Sequence, residues 1–253
     1  MRFFQIGPRR YGQFEALAEQ PGLTHAFSTR PDDLSPAGGA GADERAERRR
    51  QMAADFGFDP LRLHCCVQTH RGRIAIVDEL DDADERLEGF DAAVSNVPGV
   101  ALMTFSADCP LVLLHDPVRQ VVGVAHASWR CTVSRLTERL AVLMVARFGS
   151  DCGQLHAGIG PGVGPDRYQV GSDVFEAAAG LTGRERFFQV RDGRLYFDLW
   201  EANRDQLLRI GLRRENIEVA RICTVSRTDL FYSRRGEGPD CGRFGLLAGL
   251  QPP

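Results

Sequence analysis

Apolar runs separated by short polar breaks fill the middle of the chain and predict β-strands. Two of these runs, Pro110–His115 and Val121–Ala127, are joined by the segment Asp116-Pro117-Val118-Arg119. Asp at the first turn position and Pro at the second favour a type I turn, so the two runs predict a β-hairpin. With the turn centred on its two middle residues, Cys109 and His126 would lie directly opposite each other at the open end of the hairpin.

The remaining pattern predicts a mixed set of strands and helices. Further strands are expected at 24–29, 63–69, 74–78, 90–95, 100–106, 156–159 and 217–222, and helices at 14–19, 42–56, 133–148, 172–179 and 198–210. Strands and helices alternate imperfectly and several strands are joined by hairpins, which favours mixed sheets over a purely parallel one. We therefore expect an α/β (α+β) fold with layered mixed sheets flanked by helices, in one domain covering residues 1–253.

Composition excludes several classes of protein. The chain is 43% hydrophobic and 26% charged, as in ordinary globular proteins. A net charge of -3 gives no reason to expect nucleic acid as a partner. No apolar run approaches the roughly 20 residues of a membrane span, so no membrane association is expected. All basic residues are Arg, with no Lys in the chain, which excludes Schiff-base, pyridoxal-lysine and P-loop lysine chemistry.

Cysteine usage predicts the compartment. The seven Cys residues form no C-x-x-C pair and give neither a disulfide framework nor a zinc-ribbon spacing. Residues 1–20 contain charged and polar residues throughout, unlike a signal peptide. These features favour a reducing environment, and we expect a cytoplasmic location.

Three side chains suggest a chemical site: His70 in a predicted turn, and Cys109 and His126 at the end of the hairpin. A His/Cys/His set suits zinc, with one coordination position left for water or substrate, and copper is a possible second metal. A metal-free alternative uses Cys109 as nucleophile and His126 as base, oriented by Asp108 or a carbonyl. A buried structural Cys beside a hydrogen-bonded His is the plainer interpretation, but the flanking Asp108 and Trp129-Arg130 favour a site.

Two further features allow both a functional and a structural interpretation. The loop Gly160–Pro165 could bind phosphate through exposed N–H groups, although a simple Gly/Pro connection is more common. Four arginines, Arg45, Arg48, Arg49 and Arg50, lie on the helix predicted at 42–56 and are most simply a solvated face.

Several motifs together resemble the laccase-domain family, also called multicopper polyphenol oxidase, purine nucleoside phosphorylase or peptidoglycan editing factor. The matching segments are Q-T-H (68–70), S-A-D-C-P-L-V-L-L-H-D-P (106–117), V-A-H-A-S-W-R (124–130), G-I-G-P-G-V-G-P (158–165), D-L-W-E-A-N-R-D-Q-L (198–207), C-T (223–224) and F-Y-S-R-R-G-E-G-P-D-C-G-R-F (231–244). They cover nearly the whole chain in the family's order.

The resemblance implies a four-layer α/β/β/α fold and a zinc site made by His70, Cys109 and His126. It also implies an active-site arginine, which by order and spacing is Arg49. The implied reactions are phosphorolysis of adenosine, inosine or methylthioadenosine and hydrolytic deamination of adenosine, with Asp108 as a candidate proton carrier. The expected partners are a purine nucleoside and phosphate. Copper-dependent polyphenol oxidation and a metal-free Cys/His hydrolase acting on peptidoglycan precursors are the alternatives.

The chain departs from the family pattern at several positions. Arg71 replaces the usual Gly after Q-x-H, and Ser128 and Cys131 replace Gly residues around the Trp-Arg pair. The segment Asp166-Arg167-Tyr168-Gln169 stands where the family has Cys-Cys-Tyr-Glu, and the loop at 32–35 is shortened. The predicted metal ligands are kept, so these changes affect the expected substrate rather than the expected metal.

Overall fold

The computed structural model describes residues 1–36, 38–79 and 86–252. Its first sheet has the strand order β1-β2-β3-β16-β8-β4-β6. These strands are β1 (Arg2–Ile6), β2 (Arg9–Gln13), β3 (Leu23–Ser28), β4 (Leu63–Val67), β6 (Arg86–Glu88), β8 (Ala101–Ser106) and β16 (Phe244–Leu250). β4 pairs in parallel with β6 and β8, and the other pairs of this sheet are antiparallel.

The second sheet has the order β15-β11-β9-β10-β7-β5, and a small third sheet has the order β12-β14-β13. The second sheet contains β5 (Ile74–Val77), β7 (Ala92–Ser95), β9 (Leu111–Asp116), β10 (Val121–His126), β11 (His156–Ile159) and β15 (Ile217–Val219). The third contains β12 (Gln169–Val170), β13 (Phe188–Arg191) and β14 (Arg194–Phe197). The second sheet also mixes parallel and antiparallel pairs, which confirms the predicted mixed sheets.

Helices cover the outer faces of the two large sheets. The α-helices are α1 (Glu15–Ala18), α2 (Ala42–Asp55), α3 (Trp129–Val133), α4 (Leu136–Phe148), α5 (Ser172–Ala177), α6 (Leu199–Arg209) and α7 (Arg234–Glu237). Short 3₁₀ turns lie at Pro60–Arg62, Ala178–Gly180, Arg184–Phe187 and Arg214–Asn216. None of the helices in the described parts of the chain has the length and apolar character needed to cross a membrane.

Three apolar clusters show the order of the layers. Side chains of the two large sheets, such as Phe27 and Leu246 against Leu113 and Val124, pack between the sheets. A second cluster, including Met52, lies between α2 and the outer face of the first sheet. The third joins the outer face of the second sheet to α4 and α6. Each of the two large sheets packs on both faces, and the sequence expectation of α/β/β/α layers is confirmed.

The central hairpin forms as predicted, but its register differs. His126 pairs with Leu111 rather than with Cys109, and Val121 pairs with Asp116. The connection is a four-residue loop, in which Asp116 Oδ1 accepts the N–H groups of Val118 (2.8 Å) and Arg119 (2.9 Å). The longer loop moves the pairing by two residues along one strand, so His126 still points to the same face.

The helix predicted at 133–148 begins three residues later, as α4 at Leu136, and a break separates it from the short helix α3, which ends at Val133. Arg135 adopts a left-handed backbone with φ of 56° between them. Two side chains of α6 hold this break: Gln206 Nε2 donates to the carbonyl of Thr132 (2.9 Å) and Asn203 Nδ2 to the Thr132 hydroxyl (3.0 Å). Hydrogen bonds from α6 thus hold the end of α3, so that the chain does not continue as one helix into α4.

The loop Gly160–Pro165 is a packed connection rather than a phosphate cradle. Its N–H groups are used internally: Gly160 donates to Leu111 O (2.9 Å) and Val163 to Asp108 O (2.6 Å). A Cβ on Gly162 would lie 2.9 Å from the Asp108 carbonyl, so glycine permits the close approach of the two segments. The structural interpretation of this loop is therefore the correct one, and the loop supports the segment that carries Cys109.

Candidate active site

Two neighbouring cavities meet at a common wall formed by His70, Ala107, Cys109 and Arg234. The small cavity, of about 320 Å³, is further lined by Ser35, Pro36, Val67, Gln68, Phe105, Ser106, His126 and Arg243. The large cavity, of about 650 Å³, is further lined by Thr69, Asp108, Ser128, Trp129, Arg130, Tyr168 and Arg235. The fold thus brings together His70, Cys109 and His126, which the sequence singled out.

His70 lies in a turn that one buried carboxylate holds in place. Asp91 Oδ1 accepts the N–H of His70 (2.8 Å), and its Oδ2 accepts those of Arg71 (2.9 Å) and Gly72 (2.9 Å). His70 has a φ of 61° and Gly72 a φ of 69°, both left-handed. This backbone is costly for a non-glycine residue, and the hydrogen bonds to Asp91 offset that cost. The turn therefore aims the His70 ring at the common wall.

The rings of His70 and His126 meet edge to face, with centroids 4.9 Å apart. Burial, followed by the neighbouring His126, lowers the pKa of His70 to about 4. Burial works to raise the pKa of Asp91, but its contact with His126 and the N–H donors of the turn outweigh that effect and lower it. Both His70 and Asp91 are therefore held in their unprotonated forms near neutral pH, as metal ligands and their supporting carboxylates require.

The side chains of His70, Cys109 and His126 are of the types that bind zinc, but they do not form a closed ligand shell. Within residues 1–36, 38–79 and 86–252, no group of three His, Cys, Asp or Glu side chains is arranged to hold a metal ion. The buried Nδ1 of His126 has no hydrogen-bond partner and lies 3.7 Å from Asp91 Oδ1. A carboxylate beside one ring nitrogen orients the other toward a metal. The zinc set of His70, Cys109 and His126, with copper as its alternative, stays a prediction.

Cys109 precedes β9 and lines both cavities. The Ser106 hydroxyl donates to the Cys109 carbonyl (2.6 Å), which fixes the backbone at this position. Burial, followed by the nearby Asp108, raises the pKa of the Cys109 thiol. The nearby Arg243 lowers this pKa, but burial and Asp108 have the larger effect, so the residue is a neutral thiol at pH 7.

Asp108 occupies the position next to Cys109 with a left-handed φ of 103°. Its Oδ1 accepts the hydroxyls of Thr224 (2.6 Å) and Ser233 (2.7 Å), and its Oδ2 accepts the N–H of Arg235 (2.6 Å). Both carboxylate oxygens are therefore engaged in holding neighbouring segments. This geometry gives Asp108 a positioning role, and its sequence-based role as a proton carrier stays a prediction.

Arg49, the arginine implied by the family resemblance, is buried at 7% exposure behind the small cavity. Its guanidinium donates to the carbonyls of Leu34 (3.3 Å) and Ser35 (2.9 Å). It also faces the Phe105 ring at 5.9 Å. Since Ser35 and Phe105 line the small cavity, Arg49 shapes the cavity wall. The expectation of a wholly solvated arginine face is thus wrong at Arg49.

The departures from the family pattern divide into two groups. One replaced residue, Ser128, lines the large cavity, beside Tyr168, which matches the family's Tyr at its position. The hydroxyl of Ser128 also accepts the N–H of Cys131 (3.3 Å) and caps α3. Cys131 is buried, and Arg71 is exposed. Only the first group can contact a substrate in the large cavity directly.

Sequence reasoning missed Asp91 and undervalued Arg234. Asp91 immediately precedes a buried strand, but an acidic residue beside an apolar run is not distinctive in the sequence, and its 0% exposure is seen only in the structure. Arg234 belongs to a chain with 31 basic residues, all Arg, so its position alone gave no indication of a role.

Comparisons with known proteins identify the family of the chain. Residues 33–251 match the family described as multi-copper polyphenol oxidoreductase laccase. A purine nucleoside phosphorylase of Deinococcus radiodurans is 36% identical over 251 residues, covering 92% of each chain. One of Bacteroides thetaiotaomicron is 30% identical over 256 residues, covering 94% of each. Adenosine deaminase RL5, from an unknown prokaryotic organism, is 32% identical over 206 residues, covering 78% of each chain.

Solved structures show the same fold. The hypothetical protein YfiH of Bacillus licheniformis matches with a TM-score of 0.87 at 27% identity, covering 98% of this chain and 99% of that one. YlmD of Geobacillus stearothermophilus matches with a TM-score of 0.87 at 24% identity, covering 99% of each chain.

Proposed function

Because the chain belongs to the multi-copper polyphenol oxidoreductase laccase family, we propose that it is a purine nucleoside enzyme. It performs phosphorolysis of adenosine, inosine or methylthioadenosine and hydrolytic deamination of adenosine. The names of the relatives support the substrate class. The observation that carries the site is the convergence of His70 and His126 on a wall that Cys109 shares between two cavities.

Both reactions are substitutions on a small polar substrate. In phosphorolysis, a phosphate oxygen bonds to ribose C1′ while the C1′–N9 bond breaks; its electron pair leaves with the purine, which takes up a proton. In deamination, water adds at purine C6 and ammonia leaves. The cavities of about 320 and 650 Å³ are in the size range of small-molecule sites.

His70, Cys109 and His126 are the residues that would hold the metal, with Asp91 orienting both histidines through its contacts. A bound Zn²⁺ supplies Lewis acidity and lowers the pKa of a bound water to about 7. The chain's own residues bind the nucleoside between the common wall and the aromatic and polar side chains of the cavities. Phe105 and Arg49 shape one side, and Tyr168 and Trp129 shape the other.

The metal-free hydrolase alternative is weaker because of the state of Cys109. A cysteine nucleophile needs a lowered pKa, which comes from a nearby cation or a helix N-terminus. Here burial and Asp108 raise the pKa of the thiol instead.

The copper oxidase alternative lacks enough imidazole ligands. The chain has six His residues, and only His70 and His126 line the two cavities. A multicopper centre requires many more imidazoles converging at one place.

The test combines metal analysis with turnover. We expect purified protein to contain about one zinc per chain and to convert inosine plus phosphate to hypoxanthine and ribose 1-phosphate, followed by chromatography. Cys109→Ala and His126→Ala should each lose zinc and both reactions, because each removes a predicted ligand.

Cys152→Ala is the matched control, because Cys152 is another partly exposed cysteine that lines neither cavity. It should keep its zinc and its activity. Protein that carries no metal, reacts with iodoacetamide at Cys109 at pH 7 and leaves nucleosides unchanged would contradict the proposal and favour the hydrolase.

A further inference from the structure

The large cavity is strongly cationic. Arg130, Arg234 and Arg235 line it, and the single carboxylate among its lining residues belongs to Asp108. Both oxygens of that carboxylate already accept hydrogen bonds from neighbouring segments. Three guanidinium groups against one carboxylate leave the wall with a net positive charge, which attracts a small anion.

The three arginines differ in how far they are already engaged. Arg235 donates to the carbonyl of Gln169 (2.9 Å) and lies 5.3 Å from the Tyr168 ring. Arg130 stacks 4.3 Å from the Trp129 ring. Arg234 lines both cavities, and neither its guanidinium nor that of Arg130 forms a hydrogen bond or ion pair with the residues described. The guanidinium N–H groups of Arg234 and Arg130 are thus available to a ligand.

The backbone around Arg234 is fixed from both sides. Asp108 Oδ1 accepts the hydroxyl of Ser233, and Asp108 Oδ2 accepts the N–H of Arg235. The residues before and after Arg234 are therefore tied to the segment that carries Cys109. Asp108 acts as a positioning residue that keeps the Arg234 side chain at the common wall of the two cavities.

Arg49 is a poor candidate for the same task. Its guanidinium donates to two main-chain carbonyls and lies against the Phe105 ring. An anion would have to displace these hydrogen bonds, whereas the guanidinium groups of Arg234 and Arg130 have no hydrogen bond to displace among the described residues.

We propose that Arg234, assisted by Arg130, binds the orthophosphate co-substrate in the large cavity, and that Arg49 does not. This inference rests on the proposed phosphorolysis. A guanidinium matches phosphate with two parallel N–H···O bonds, which an exposed anion site at the edge of a cavity can use directly. Because Arg234 also lines the small cavity, a phosphate held by it lies beside a nucleoside bound there.

The experiment measures phosphate binding and two reactions on the zinc-loaded protein. Arg234→Gln should raise the Kd for orthophosphate, measured by calorimetry, and the KM for phosphate by roughly tenfold to a hundredfold. Deamination of adenosine, which uses no phosphate, should fall by a much smaller factor than phosphorolysis, because Arg234 then acts only as part of the common wall. Arg234→Lys should restore only part of the loss, because an ammonium lacks the fork. The double variant Arg130→Gln with Arg234→Gln should lose more.

Arg227→Gln is the matched control, because Arg227 is exposed, forms two hydrogen bonds with Asp229 and lines neither cavity. It should leave both reactions unchanged. Arg234→Gln with a wild-type KM for phosphate would overturn the inference, as would an equal loss of deamination. A loss of phosphate binding in Arg49→Gln but not in Arg234→Gln would also overturn it.

Two further results separate the inference from the proposed function. Wild-type protein that binds phosphate through Arg234 but does not turn over inosine would refute phosphorolysis and support the anion site. Binding of adenosine monophosphate through Arg234 without binding of free orthophosphate would overturn the co-substrate assignment, since the site would then hold a phosphate ester.

Discussion

Two pairs of histidines occupy contrasting places in the molecule. His25 lies within β3 and His115 within β9, and both are fully buried. His70 lies in a turn after β4, and His126 is the last residue of β10. The first pair faces packed protein, and the second faces two cavities.

The surroundings of each pair explain the difference. His25 Nε2 accepts the N–H of Phe14 (3.0 Å), and His115 Nδ1 donates to the carbonyl of Val121 (3.2 Å). One nitrogen of each ring is thus bonded to the main chain of the surrounding packed protein. The other pair depends on Asp91, which holds the His70 turn and contacts His126. The same residue type is thus structural inside a strand and becomes available for chemistry at a strand end beside a buried carboxylate.

The largest effect is expected from removing the Asp91 carboxylate, which supports His70 and His126 but not His25 and His115. Asp91→Ala leaves three backbone N–H groups without their acceptor and should lower the free energy of unfolding by about 3 kcal/mol or more. Urea denaturation measures this change. Zinc content and nucleoside turnover should fall with it, because the His70 turn is no longer held.

If Asp91→Ala does not fold, Asp91→Asn tests the role of the carboxylate in a side chain of nearly the same shape. Asp229→Ala is the control, because that carboxylate is exposed and should change stability by less than about 0.5 kcal/mol. Full stability and activity in both Asp91 variants would show that the turn does not need the carboxylate.

Acid should act through the buried pair together with His70, because burial lowers the pKa of all three histidines. Burial lowers the pKa of His25 to about 3 and that of His115 to about 4, against 6.5 in the unfolded chain. Between pH 6.5 and 4 the unfolded state therefore binds more protons, so stability is present above pH 6.5 and falls as the pH falls. The slope is at most about 1.4 kcal/mol per pH unit for each histidine.

Urea denaturation at pH 7.5, 6 and 5 measures that slope. His115→Asn should reduce it by the contribution of one histidine, whereas His156→Asn, at a partly exposed position, should reduce it less. An unchanged slope in His115→Asn would mean that other groups cause the acid sensitivity.

The smallest effect is expected from replacing Arg71, which follows His70 in the turn held by Asp91. Its N–H donates to Asp91, while its exposed side chain forms no hydrogen bond with the described residues. Arg71→Gly keeps the N–H and restores the residue usual in the family. Stability should change by less than about 0.5 kcal/mol, measured by thermal unfolding, and turnover should stay near the wild-type rate. A large loss of activity would show that the Arg71 side chain contacts the substrate.

Local patterns predicted much of the fold but not the details set by tertiary contacts. The Asp116-Pro117 turn signal correctly located the hairpin, yet its register depended on loop geometry in which Gln120 has a φ of 50°. Cys109 and His126 still reach one cavity because the shift keeps the face of the strand. The break before α4 arises from α6, which is remote in sequence.

Some residues of the candidate site could be singled out from the sequence, whereas others are recognised only through tertiary contacts. His70, Cys109 and His126 are chemically distinctive and stand at the ends of predicted strands. Arg49 and Arg234 look alike in sequence, and only the fold shows that one guanidinium is bound to carbonyls while the other faces a cavity. Asp91 is recognisable only through the three N–H groups around it.

The position of β16 has a consequence for how the protein is made. It follows every other strand in the chain, yet it lies in the interior of the first sheet, between β3 and β8, and pairs with both. During synthesis, β3 and β8 emerge from the ribosome long before the strand that must separate them. The first sheet can therefore close only when translation reaches β16, and until then two apolar strand edges need protection from each other and from other chains.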